Sequence, residues 1–248
     1  MTAINRRKST SQIIGGDAKG IQTGALRQIS FQSKHELIYD SLKLAIMSGR
    51  FAPGQRLKLR DLAADLGTSA MPVRDAVGKL IAERALEQNE NGAARVPLAT
   101  ERLVREVMEM RALLEGEAAS RAAIAISENE LAKLRLLADA LTQAANSKDT
   151  QRYLKLNQQL KFGVYSFCGS IVLINLIESL WLRAGPFLRY LSRDLKGMTS
   201  INFHDEALDA VSARAPERAR SAISRDITSG MNFLLTHASF DEEVDEGA

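Results

Sequence analysis

Gly67 separates two short stretches whose apolar residues both recur at helical spacing, and this break constrains the fold more than any other feature. In "LRDLAADLGTSAMPVRDAVGKLIAERALEQ", residues 59–88, the first stretch is built on Leu59, Leu62, Ala63 and Leu66. Glycine is the residue that most readily takes the left-handed conformation that ends a helix. Ser69 stands where it can cap a second helix, whose inward positions are Val73, Ala76, Val77, Leu80 and Ile81. Two helices across a tight glycine turn make a helix-turn-helix. Just beyond, "NENGAARV" reads as a short hairpin with Asn91-Gly92 as its turn, which supplies a wing.

In such a unit the second helix enters the major groove of DNA with its N-terminal residues on the base edges. Ser69, Ala70, Met71 and Arg74 are therefore the groove candidates, with Asn91 and Gly92 in the wing. Lys58 and Arg60 begin the first helix, where cations meet phosphates. Upstream, "SGRFAPGQRL" is a loop that ends a helix starting near Lys34 and leads into the first helix of the pair.

The stretch "IMSGRFAPGQRLKLRDLAADLGTSAMPVRDAVGKLIAERAL", with its wing, resembles the winged helix-turn-helix of the GntR family of bacterial transcription regulators. The matching marks are the approach loop, the "LA..LG.S..PVR.AV..L" core and the Asn91-Gly92 wing. By that resemblance Arg74 corresponds to the DNA-contacting arginine of the recognition helix, and Arg60 to one that contacts backbone or base. The chain departs at Ala70, where the family usually has a second arginine, and at Met71, usually threonine. Losing an arginine at a base edge removes a bidentate guanine contact worth about 1–3 kcal/mol of discrimination, so the operator should differ from the commoner family sites. A helix-turn-helix can also serve protein contacts, but approach loop and wing together favour DNA.

After "VPLAT" the pattern changes to long amphipathic helices through to about residue 237, broken at "SENE" (a capping box), "NSKDT", "CGS" and "RAP". The expected organisation is a basic arm over 1–30, the winged head over 31–98, an all-helical body over 99–238 and an acidic tail over 239–248. The fold class is mainly α, with a small β-hairpin wing. The arm is compatible with nucleic acid, and equally with a solubilising tail. Of 248 residues only one is cysteine, Cys168, so neither an intrachain disulfide nor a cysteine-based zinc site is available. No apolar stretch of signal-peptide length opens the chain, and "IVLINLI" is too short to span a bilayer, so a cytoplasmic protein without membrane contact is expected.

The helices of the body each turn polar residues inward. Plotted at 100° per residue, the apolar arc of 101–125 holds Leu103, Val104, Val107, Met110, Leu114 and Ala118, and also Arg111. The arc around Tyr153, Leu154, Leu160, Val164 and Tyr165 includes Asn157 and Lys161. That of Ile201, Phe203, Ala207, Leu208 and Val211 includes His204, and that of Ala219, Ala222, Ile223, Ile227, Gly230 and Phe233 includes Asp226. Any one of these could be a helix edge or a satisfied core residue. Together they point to a polar cavity in a helical bundle, with Arg111, Asn157, Lys161, His204 and Asp226 as effector-binding candidates.

"MRALLEGEAASRAA" resembles the opening helix of the FCD-type effector domain of the FadR subfamily, an all-helical bundle that binds small carboxylic acids. Many FCD domains hold a divalent metal through one Asp and three His. Carried onto this chain, those positions are Asn157, Lys161, His204 and Asp226, and only His204 keeps its residue type. A protonated lysine has no lone pair to donate and repels a cation, so no cofactor and no tightly bound metal is expected. The metal-based alternative is an ion held weakly by His204 and Asp226. The resemblance implies a homodimeric regulator, by default a repressor, that binds double-stranded DNA and responds to a small organic acid; the departure at Lys161 suggests that its ammonium, in place of the metal, anchors that acid. The alternative is a vestigial cavity in which Lys161 merely pairs with Asp226. No nucleophile motif or phosphate loop accompanies His204 and Asp226, so an enzyme is not expected.

Overall fold

The computed structural model describes residues 34–89, 92–194 and 203–240. Asn91, Ile201, the basic arm and residues 241–248 of the acidic tail lie outside these.

The head begins with α1 (Lys34–Met47), which buries Ile38, Leu42 and Ile46, each one helical turn from the next, and Met47 at its end. Gly49, at φ +67°, turns the chain out of α1 and donates from its amide to the Ile46 carbonyl at 3.0 Å. Then follow β1 (Arg56–Leu57), α2 (Leu59–Asp65), α3 (Ala70–Ala82), β2 (Glu87–Gln88) and β3 (Ala94–Arg95). Gly67 has φ +59°, the left-handed turn expected between α2 and α3. α3 buries Val73, Ala76, Val77 and Leu80. Ser69 does occupy the N-cap position of α3, but its hydroxyl makes no capping hydrogen bond.

The wing is a three-stranded antiparallel sheet in the order β1-β3-β2, in which Arg95 faces both Arg56 and Glu87. Its outer strand β1 comes from the approach loop, which the sequence pattern reads only as loop. A strand of two residues carries no alternation to detect. Gly92, at φ +73°, donates to the Asn89 carbonyl at 2.8 Å and closes the β2–β3 turn.

The body is helical: α4 (Glu101–Ala123), α5 (Glu128–Asn146), α6 (Thr150–Tyr165), α7 (Ile171–Leu188), a 3₁₀ turn (Arg189–Asp194), α8 (Phe203–Ser212) and α9 (Pro216–His237). Short polar side chains start four of these helices. Thr100, Ser127, Asp149 and Ser170 each accept the amide three residues on, at 3.1–3.3 Å. α4 runs through the middle and packs against α9, α7 and α6. Its buried stripe is wider than one amphipathic face. Met108, Arg111, Glu115, Ala118 and Ala122 are buried, whereas Met110, expected inside, is 45% exposed. A helix covered on several sides buries side chains that a single arc assigns to solvent.

The segment Ile171–Leu191 is long and apolar enough to cross a membrane, but half of it is buried inside the protein. From Trp181 onward α7 is packed against α4 and α1, as a core helix is. Here the head meets the body. Gly185 lies so close to α1 that a Cβ there would fall 2.1 Å from the Ile46 carbonyl oxygen. Lys43 of α1 pairs with Glu178 of α7 at 2.6 Å.

Candidate nucleic-acid interface and buried polar cluster

Between the start of α2, the outer face of α3 and the wing runs an open groove of about 760 Å³. Lys58, Arg60, Ala70, Arg74 and Gly92 line it. Arg56 lines it too, and the sequence reading missed it. The cue was its place beside Leu57, which is buried while Arg56 is exposed. Four cations against the single carboxylate of Asp61 give this face the charge that phosphates require. Ser69 is exposed and Met71 is 74% exposed at the leading end of α3, so the groove-facing end of that helix offers a thioether rather than a charge.

The second cluster lies inside the body. Lys161 of α6 is 2% exposed, with its Nζ 2.6 Å from Asp226 Oδ2 of α9 and 3.8 Å from Glu115 Oε2 of α4. At 2.6 Å the Asp226 contact is a close ion pair, but its angles depart from those of a well-aligned hydrogen bond. Arg111 donates through Nε to Glu115 Oε1 at 2.7 Å, and the Tyr165 hydroxyl donates to Glu115 Oε2 at 2.7 Å. The Arg111 guanidinium also lies 4.2 Å over the Trp181 ring of α7. His204 Nε2 is 2.9 Å from Asn157 Oδ1 and 4.0 Å from Asp226 Oδ2.

The five residues singled out from the sequence are thus brought together from α4, α6, α8 and α9. Arg111, Asn157, Lys161 and Asp226 line a cavity of about 30 Å³, and His204 reaches it through Asn157. Sequence reasoning missed Glu115 and Tyr165. Glu115 lies four residues after Arg111, the spacing of a helical ion pair, and that was the available signal. Tyr165 was counted only for its apolar ring.

Electrostatics follow from burial. Burial lowers the His204 imidazole below its ordinary range, and the Lys161 ammonium adds to this against the pull of Asp226. A neutral ring protonated on Nε2 donates to the Asn157 amide oxygen. Burial pushes the Asp226 carboxyl up, but the Lys161 ammonium, together with His204 and Arg111, outweighs it and holds the group below the usual carboxylate range. Burial beside Glu115 raises the Tyr165 phenol well above its normal value.

These residues do not fit a divalent ion of the FCD type. The cluster's carboxylate nearest His204 is engaged by an ammonium, and the imidazole Nε2 is spent on an amide. Among the described residues no group of three or more His, Cys, Asp or Glu is placed to hold a metal.

Comparison with known proteins agrees with this architecture. The profile of the FCD domain matches residues 106–229, and that of the bacterial regulatory proteins of the gntR family matches residues 34–96. The HTH-type transcriptional regulator McbR of Escherichia coli (strain K12) is 32% identical over 169 residues, 68% of this chain and 75% of McbR. The HTH-type transcriptional repressor GlaR of the same organism is 28% identical over 148 residues, 58% of this chain and 67% of GlaR. The solved structure of E. coli McbR/YncC superposes with a TM-score of 0.79 at 27% identity, covering 84% of this chain and 100% of that one. A winged head with a basic groove, carried on a helical body, is the architecture of a DNA-binding transcription regulator and not of an enzyme. This chain belongs to the GntR family and carries an FCD domain.

Proposed function

We propose that the protein binds a near-palindromic operator as a homodimer, through Arg56, Lys58, Arg60 and Arg74 of each head, and represses transcription. A small carboxylic acid entering the body and taking Lys161 from Asp226 would then change operator affinity. The observation that carries this reading is Lys161 itself: a buried ammonium whose three donors are left without a well-aligned acceptor. A carboxylate supplies that alignment at the strength of a charge-assisted hydrogen bond. The cluster also has a physical link to the head. Arg111 stacks on Trp181, and one turn further along α7 Gly185 touches the backbone of α1. An acid that rearranges the cluster changes affinity for DNA only if it binds the two head arrangements unequally.

A second reading is favoured by two observations. The buried charges balance without a ligand, Arg111 and Lys161 against Glu115 and Asp226, and about 30 Å³ accommodates roughly one water. On that reading the cluster is a structural network and Lys161 stands in for the missing metal. Thermal stabilisation against a panel of small organic acids separates the two. An acid that stabilises the wild type but not the Lys161→Met/Asp226→Leu variant supports sensing at the cluster. Equal stabilisation of both, or of neither, supports the structural network.

A further inference from the structure

A second space, far larger than that of the polar cluster, lies at the joint between head and body. A cavity of about 380 Å³ opens there, walled by Leu86 of the wing, Leu98 of the linker, Leu103 of α4 and Phe187 of α7. That volume falls in the ordinary range of small-molecule sites, roughly 300–1,000 Å³, and a mostly apolar wall with few polar groups is their usual composition. The polar contribution is directional. Arg183 of α7 lines the cavity, and its Nε is buried with no hydrogen-bond partner. A buried guanidinium N–H left unspent is uncommon enough to require a reason. Glu87, the carboxylate at the rim, is already occupied by Arg95 at 2.8 Å, so the cations Arg183 and Arg84 set the sign of the wall.

We infer that this joint is a ligand site of its own for a monocarboxylate with an apolar, ring-sized body. The ring packs on Leu98, Leu103 and Phe187, and the carboxylate accepts from the Arg183 guanidinium. The walls come from both halves of the molecule, so an occupant bridges wing and body. A bridging ligand favours whichever head arrangement keeps the walls together, which makes the joint a direct control point for DNA binding. The site is spatially separate from the Lys161 cluster and does not depend on any acid entering that cluster.

The test uses the full chain and two probes of matched shape, naphthoate and the uncharged naphthylmethanol, titrated calorimetrically. Naphthoate is expected to bind once per chain, and naphthylmethanol at least about tenfold more weakly. Arg183→Gln, which keeps the side chain's bulk but removes its charge, should weaken naphthoate by a similar factor. Leu103→Trp, which fills the cavity, should abolish binding; Leu98→Trp fills it from another wall if the first variant does not fold. Lys161→Met/Asp226→Leu should bind naphthoate as the wild type does. The inference is overturned by any of four results. These are no saturable binding at millimolar probe, equal binding of the neutral probe, binding that survives both filling variants, or loss of binding in the Lys161→Met/Asp226→Leu protein.

Discussion

Lys161→Met removes an ammonium that two carboxylates face, and the structure assigns the damage to one of them. Glu115 keeps Arg111 Nε and the Tyr165 hydroxyl, each at 2.7 Å, and so stays satisfied. Asp226 loses its cation at 2.6 Å and is left with His204 at 4.0 Å, a ring that burial keeps neutral. Breaking a buried ion pair from one side costs about 3–5 kcal/mol. Asp226 is 21% exposed, which places the loss at the lower end, about 3 kcal/mol. For a chain of this size that is a fall in Tm of roughly 6–12 °C at neutral pH. Asp226→Leu on the Lys161→Met background removes the stranded charge and should restore most of the loss, because an apolar pair of similar volume often matches a buried ion pair. The pH dependence has a definite sign. In the wild type the folded Asp226 carboxyl lies below its unfolded value, so its contribution is present above about pH 3.9 and is lost as pH falls through the folded value. In Lys161→Met the carboxyl loses the cation that lowered it, so the deficit should shrink as pH falls toward the carboxylate range. Thermal unfolding by calorimetry between about pH 2 and 8, a range that spans carboxylate and histidine titration, checks all of this. A deficit under about 1 kcal/mol, or a double variant no more stable than the single one, would refute the assignment of the charge balance to this pair.

Other outcomes follow from the same geometry. Arg74→Ala should weaken binding to promoter DNA by about 1–3 kcal/mol while the Tm is unchanged; retention of full specific binding in a gel-shift assay would remove Arg74 from the interface. Gly185→Ala puts a methyl 2.1 Å from the Ile46 carbonyl and should destabilise by about 1–3 kcal/mol, with faster proteolysis within α1; a protein of unchanged stability would show that the contact is slack. The His204 imidazole is depressed on folding, so the unfolded chain takes up a proton first as pH falls. Stability should therefore drop as pH falls through about 6.5, and His204→Gln should flatten that part of the Tm profile.

What the sequence exposed is what is local or periodic. Val73, Ala76, Val77 and Leu80 sit inward as their spacing requires, and Gly67 makes the turn that only a residue tolerant of positive φ makes readily. Arg111, Asn157 and Lys161 betrayed themselves as polar residues at buried positions. Glu115 did not, because α4 packs on several neighbours and a single arc that took in Met110 at one edge left Glu115 just beyond the other. The hydroxyl of Tyr165 was hidden because an aromatic ring satisfies an apolar pattern whatever its para substituent does. The joint cavity was out of reach for another reason. Leu86, Leu98, Leu103 and Phe187 come from four separate stretches of the chain, and no spacing rule relates them.

The backbone contact at Gly185 limits how this regulator can be rebuilt. A chimera that exchanges heads at the 97–100 linker cuts a single strand of chain, yet it also replaces the partner of α7. The incoming α1 must end on a carbonyl that tolerates α7 at this distance, and the body must keep glycine at 185 to receive it. The unit that can be transplanted is therefore the head together with its socket on α7.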